Sequence, residues 1–351
     1  MPTQQHIRVK FFSPSPQWLR MFPGREPVWG NCRFIFNQDE QHYDWLVVYG
    51  DLHTHRGERI TATRVKLQCP PEHTLLITTE PSSITTYGSD FLNQFGYVLT
   101  GQEDWAIKHP GKIHSQPALR WFYGNARECE NSLDYDFMKA NPPESKSMII
   151  STVCSTKAQK HTMHYKRAQF IERMCKALPE MDRFGRGIKE VNDKAETLDA
   201  YRYHIAIENH VCDHWWTEKL SDAFLGMTLP FYHGAPNASE YFPKDSFIPI
   251  NIFDFEASLK TIRSAIDNNE FEKRLPLIRE ARSLVLEKYN IFAVLSELIA
   301  QHHSIEANPE SDRYLYPRRL LRRNPIIAIR VGLEKTAMRI KTLLHQQKMD
   351  V

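Results

Sequence analysis

Between Glu208 and Lys219 the chain reads ENHVCDHWWTEK, which brings carboxylates, an amide, two indoles and an ammonium group into one short segment. The following run, Thr217–Leu225, places Leu220, Ala223 and Phe224 on one helical face, with Gly226 as its stop. A helix beginning at about Thr217 turns free N–H groups and a positive dipole end toward the preceding loop, an arrangement that suits a diphosphate. Lys219 in the first turn adds a full positive charge, and Glu218 can accept hydrogen bonds from ribose hydroxyls. Asn209, Trp215 and Trp216 supply amide and stacking surfaces. The competing reading is an ordinary solvated first turn beside two core tryptophans.

This segment needs a scaffold that aims it. Tyr203–Ile207 (YHIAI) and Leu229–His233 (LPFYH) read as strands on either side of the Thr217–Leu225 helix, and strand–helix–strand at this spacing implies a right-handed parallel crossover. Ser147–Ser151 and the helix Arg167–Leu178, with Phe170, Ile171, Met174, Ala177 and Leu178 on one face, make a preceding unit of the same kind. Ligands bind such sheets at the carboxyl ends of the strands. In the first half Trp45–Tyr49, Thr74–Thr78 and Gly96–Leu99 read as buried strands. The fold class is therefore α/β with two sheets and a seam near Asn141–Ser147 (NPPESKS). The expected divisions are residues 1–145, 146–310 and a tail, 311–351. Leu259–Asn268, Glu270–Leu286 and Ala293–Gln301 carry helical periodicity.

Among 351 residues no apolar run approaches 18, and the N-terminal MPTQQHIRVKFF lacks the apolar stretch of a secretory signal. The six cysteines form no CxxC pair, so a reduced cytoplasmic chain without structural zinc is expected. The net charge of +3 is uneven: residues 311–351 hold ten Lys/Arg against three Asp/Glu, which leaves the remainder at −4. Ile326, Ile329, Leu333, Ala337, Ile340 and Leu344 recur at three- and four-residue steps, with Arg330, Lys335, Arg339 and Lys341 largely off that stripe. Such a basic amphipathic helix fits an anionic membrane surface through residues 313–348, with docking on protein as the alternative. The stripe and the lack of any known recognition motif argue against nucleic acid.

The run YRYHIAIENHVCDHWWTEKLSDAFLGMTLPFYHGAP is similar to the signature of the glycosyltransferase family 10 α-1,3-fucosyltransferases. The matching pieces are Ile207-Glu208-Asn209, Trp216-Thr217-Glu218-Lys219-Leu220 and Ala223 through Gly234, followed by Asn237-x-x-x-Tyr241-Phe242-Pro243 and Asp245-Ser246-Phe247-Ile248. Upstream, Ser155-Thr156-Lys157, His164-x-x-Arg167 and Phe184-Gly185-Arg186-Gly187 resemble further family segments. The resemblance implies a GT-B fold, two Rossmann-like domains facing a cleft. It implies Arg167 and Lys219 on a donor diphosphate and Glu218 on ribose, with Asn209, Glu208, Ser155 and Thr156 in the donor-binding set. Trp215 stands where the family has a tyrosine; an indole keeps stacking but loses the hydroxyl hydrogen bond.

Thr79-Glu80-Pro81-Ser82, after the Thr74–Thr78 strand, resembles the family segment whose glutamate is the catalytic base, and Phe122-Tyr123-Gly124 resembles its P-Y-G turn. The resemblance implies inverting transfer of L-fucose from GDP-fucose to a hydroxyl of a cell-surface glycan, lipopolysaccharide or a LacNAc-type oligosaccharide. Another deoxysugar nucleotide is the alternative donor, and a membrane- or nucleic-acid-binding protein the non-enzymatic one. No cofactor is expected and divalent metal is not essential. Two metal readings are weaker. Asp134-Tyr135-Asp136 matches D-x-D only formally, and His161, His164 and Cys154 lack a second ligand pair. The expected location is cytoplasmic, peripheral on the inner membrane face.

Overall fold

A computed structural model of the chain describes residues 6–13, 17–52, 64–117, 119–126, 132–155, 163–307 and 312–349. They fall into two compact units: Met1–Trp18, Glu26–Ala118 and Phe292–Val351 form the first, and Leu19–Arg25 with Leu119–Ile291 the second.

The first unit is built on strands β1 (Ile7–Phe12), β2 (Val28–Trp29), β3 (Cys32–Ile35), β4 (Trp45–Tyr49), β5 (Val65–Lys66), β6 (Thr74–Ile77), β7 (Tyr97–Thr100) and β8 (Lys112–His114), with the one-turn helix α1 (Ser89–Leu92) before β7. All but β5 join one sheet in the order β2-β3-β1-β4-β6-β7-β8, parallel except at the β2–β3 pair. WLVV and TLLI in β4 and β6 are covered on both faces, hence their continuous apolar runs. β1 escapes a pattern reading because Lys10 interrupts IRVKFF. Its ammonium donates to the carbonyls of Gln38 and Glu40, so Val9, Phe11 and Phe12 still enter the core.

The second unit contains α2 (Tyr135–Ala140), β9 (Met148–Val153), α3 (Met163–Ala177), β10 (Met181–Phe184), β11 (Tyr201–Ile207), α4 (Glu218–Leu225), β12 (Leu229–His233), β13 (Ile248–Pro249), α5 (Phe255–Asp267) and α6 (Glu270–Glu287). Its sheet, β10-β9-β11-β12-β13, is parallel throughout. Ile150, Tyr203, Ile205, Ile207 and Phe231 pack with Phe170, Ile171 and Met174 of α3 and Ile262 of α5. Alternation along β11 leaves His204 and Ala206 on the other face of the sheet.

The division differs from the one expected at Asn141–Ser147: residues 119–145 belong to the second unit, and 292–310 to the first. Buried ion and amide contacts account for this. Asp222 accepts from the N–H groups of Phe122 and Tyr123 at 2.8 and 2.9 Å, Asp193 from that of Gly124 at 2.9 Å, and Asp199 from the Tyr123 hydroxyl at 2.8 Å. Within NPPESKS, Glu144 pairs with Arg279 at 2.7 Å, and the Lys146 ammonium donates to the carbonyls of Leu198, Asp199 and Gly226. The prolines mark a bound lead-in to β9 rather than a linker. Phe292 draws its segment to the first unit by edge contacts with Phe11, Trp18, Phe34 and Phe36.

The chain ends with α7 (Ile291–His302), β14 (Tyr314–Leu315), α8 (Arg318–Leu321) and α9 (Pro325–Met349), of which β14 pairs antiparallel with β5. The tail is part of the first unit rather than a separate body. α9 is seated by buried Val331, by Arg330 on Asp90 at 2.6 Å and by Glu334 accepting from the Ser89 hydroxyl at 2.6 Å. The apolar stripe does not make this seat: Ile326, Ile329 and Leu333 are 66–67% exposed, and Ile340 and Leu344 54–56%. No helix among the described residues is long and apolar enough to cross a membrane.

Candidate functional site

β11 ends at Ile207, and the loop that follows begins with Glu208, whose side chain is fully buried. Glu208 accepts hydrogen bonds from the Thr217 N–H at 2.8 Å and the Thr217 hydroxyl at 2.7 Å. Thr217 in turn caps α4, its hydroxyl oxygen accepting from the Lys219 N–H. The loop is thus closed on itself, and the first turn of α4 is fixed at the carboxyl end of the sheet.

Lys219 lies 2.7 Å from Glu218 and 3.5 Å from Glu208, with its side chain 18% exposed. Burial pushes the Glu208 carboxyl up against the pull of the Lys219 cation. Burial would also raise Glu218, but the Lys219 and Lys194 cations overcome it and hold that carboxyl at about 2. Arg167, from α3, donates to the Asn209 side-chain oxygen at 2.7 Å and the Ile207 carbonyl at 3.3 Å. The Asn209 amide therefore orients the guanidinium, and its NH₂ remains available as a donor.

These groups line one pocket of ≈ 340 Å³ together with Ser155, His164, Lys194 and His204. Arg167, Asn209, Glu218, Lys219 and Ser155 therefore converge as the sequence suggests. Glu208 and Trp215 do not reach the wall. Glu208 acts from beneath, through Thr217 and Lys219. Trp215 is 3% exposed and edge-on to His210, as the core reading of the tryptophans has it. Thr156 lies outside the described residues. Glu80 follows β6 in the first unit as an exposed residue whose carbonyl accepts from the Gln102 side chain at 2.7 Å.

Lys194, His204 and, as a wall residue, His164 are the additions. Lys194 pairs at 2.6 Å with Asp222, the fully buried carboxylate that also holds the Phe122–Tyr123 turn. The D-x-x-E box Asp193–Glu196, which caps the turn carrying Lys194, is readable in sequence. His204 is signalled only by strand alternation. Burial, and then the Arg167 and Lys219 cations, lower His164, which keeps its imidazole neutral.

The alternative metal motifs have other employment. Asp134 caps α2 and pairs with Arg25, and Asp136 accepts from the Gly24 N–H. Cys154 and His164 line the pocket, while His161 lies outside the described residues.

Residues 143–273 match the family described as glycosyltransferase family 10 (fucosyltransferase), C-terminal domain. The chain is 27% identical over 154 residues to the mouse 4-galactosyl-N-acetylglucosaminide 3-alpha-L-fucosyltransferase 9, covering 41% of this chain and 42% of that protein. It is 35% identical over 77 residues to the Helicobacter pylori alpha-(1,3)-fucosyltransferase FucT, covering 22% and 15%. The chain thus spans less than half the length of these curated relatives. A solved α1,3-fucosyltransferase with GDP aligns over 88% of this chain and 95% of that one, at 15% identity and a TM-score of 0.49.

Proposed function

Residues 143–273 match glycosyltransferase family 10, and on that premise we propose that the chain is a member of that family and transfers L-fucose from GDP-fucose to a hydroxyl of a cell-surface glycan. The observation that carries this reading is the convergence of Arg167, Lys219, Glu218 and Asn209 on one pocket at the carboxyl end of a parallel sheet. Two cations and a helix N-terminus complement a diphosphate. Glu218, held ionised, accepts from ribose hydroxyls.

In this reading Glu80 takes the proton of the acceptor hydroxyl as its oxygen attacks the anomeric carbon. GDP departs from the opposite face, its developing charge stabilised by Arg167 and Lys219, and the configuration inverts. No divalent metal enters this scheme, so activity should survive EDTA. Acceptors of the lipopolysaccharide or LacNAc type belong to the same reading, and another deoxysugar nucleotide is the alternative donor. Thermal stabilisation by a panel of nucleotides and nucleotide sugars tests it. GDP and GDP-fucose should raise the melting temperature most; a panel in which neither does so overturns the donor assignment.

The exposed stripe of α9 supports a peripheral location at an anionic membrane face, near lipid-linked acceptors. Replacing Ile329, Leu333 and Ile340 by Ser in the full chain should abolish co-sedimentation with anionic vesicles. Equal sedimentation of both proteins would defeat this location.

A further inference from the structure

Beyond the residues that serve a diphosphate, the donor pocket contains a histidine whose proton position is fixed by its surroundings. His204 lies in the middle of β11, directly opposite Ser151 of β9, and is 6% exposed while lining the pocket. Its Nδ1 is 2.8 Å from the Ser151 hydroxyl oxygen, and that oxygen is 2.6 Å from the Thr197 carbonyl. A serine has one hydroxyl proton, and the Thr197 carbonyl can only accept, so Ser151 donates there. The Nδ1 of His204 must therefore be the donor to Ser151. The ring's other nitrogen, Nε2, is left as a bare lone pair.

Two further observations keep it bare. Burial, reinforced by the Lys194 cation, lowers His204 to about 3, so the ring does not take a second proton near neutrality. No described residue donates to Nε2. Of the other polar wall side chains, Arg167, Lys194, Lys219 and the amide of Asn209 are donors, while the Glu218 carboxylate, the neutral His164 ring and the Ser155 hydroxyl can accept. Those donors answer the oxygens of a diphosphate. They cannot answer the N–H and O–H groups of a nucleoside, which require acceptors.

We propose that His204 is a specificity-determining residue of this pocket, its Nε2 accepting a hydrogen bond from an O–H or N–H of the bound nucleoside. Ser151 is then a positioning residue that sets the tautomer from behind. The assignment rests on the GDP-sugar reading of the pocket, and it concerns which nucleoside is accepted rather than whether a diphosphate binds. A ribose hydroxyl and a purine N–H share this chemistry.

Calorimetric titration of the full chain separates them, using GDP and four analogues: 2′-deoxy-GDP, 3′-deoxy-GDP, IDP (without the 2-amino group) and N1-methyl-GDP. His204→Ala should weaken GDP about tenfold, the loss of one buried hydrogen bond. The analogue lacking the contacted donor should bind wild type and variant alike. Ser151→Ala, which frees the ring to carry its proton on Nε2, should weaken GDP in the same direction. The ring ¹⁵N shifts of the wild-type protein should show protonation at Nδ1 only. A folded His204→Ala that binds GDP within twofold of wild type, or with every analogue penalty unchanged, overturns the proposal. Should that variant fail to fold, a proton on Nε2 in wild type or unchanged GDP affinity in Ser151→Ala overturns it instead. Failure of wild type itself to bind GDP removes the donor reading on which the proposal stands.

Discussion

At the carboxyl end of β11 Lys219, Glu208 and Arg167 are each held by two polar groups, whereas at the carboxyl end of β6 Glu80 is solvent-exposed. Lys219 is bracketed by Glu218 and Glu208, Glu208 by two groups of Thr217, and Arg167 by Asn209 and the Ile207 carbonyl. Glu80 is anchored through its backbone carbonyl, on the side chain of Gln102. The contrast follows from the tasks proposed for the two ends. A site for a doubly charged group must fix its cations before the ligand arrives, which lowers the reorganisation that binding demands. A general base must instead present its carboxylate to an incoming hydroxyl.

The largest effect should come from the exposed end. Glu80→Gln should depress turnover by roughly 10²–10⁴-fold while leaving GDP affinity unchanged, as steady-state kinetics beside a GDP titration would show. A parallel loss of GDP affinity would erase the distinction between the two ends. Lys219→Ala should weaken GDP by about 10–100-fold, because it removes a charged partner and leaves Glu218 and Glu208 facing each other. Asp222→Ala acts through the scaffold. It strips acceptors from two backbone N–H groups and from Lys194, and should lower stability by roughly 2–4 kcal/mol in chemical denaturation.

The smallest effect is a pH dependence. Folded His204 binds its proton only near 3, while the unfolded chain does so near its ordinary 6.5. Between those values the unfolded state holds more protons, so stability falls as pH drops through 6.5 toward 3. His73, His109, His164 and His233 are lowered too and add to the slope. Glu218, held at about 2 against an ordinary 4.5, adds a loss of the same sign only below 4.5. Glu208, Asp193, Asp199 and Asp222, raised by burial, act with the opposite sign in wild type and variant alike, so the prediction is the difference: the melting temperature of His204→Ala should fall less than that of wild type between pH 6.5 and 4.5. An unchanged slope in that variant would show that His204 folds with its proton.

Much of both sheets was legible because their elements obey single rules. β4 and β12 lie where the apolar runs put them, at Trp45–Tyr49 and Leu229–His233, and α4 begins one residue after its threonine cap. Arg167, Asn209, Glu218 and Lys219 converge because the strand–helix crossover places loop and helix start at one sheet edge. What stayed hidden depends on tertiary contacts. The unit boundary is set by Asp222, Asp193 and Arg20 gripping the backbone of residues 121–124, and no composition shift marks that. Lys10 made β1 look polar until its carbonyl partners appeared. Trp215, stacking surface by type, turned inward to the core. Nor does the sequence tell which face of α9 is seated: Val331, Arg330 and Glu334 dock, and the longer apolar stripe does not.

The most direct test of the pocket is a calorimetric titration of GDP into the wild-type chain and into Lys219→Ala and Arg167→Ala, each checked for wild-type secondary structure. The reading predicts a saturable wild-type isotherm, weakened at least tenfold in both variants. A wild-type chain that takes up no GDP, or variants that bind it as well as wild type does, would contradict it.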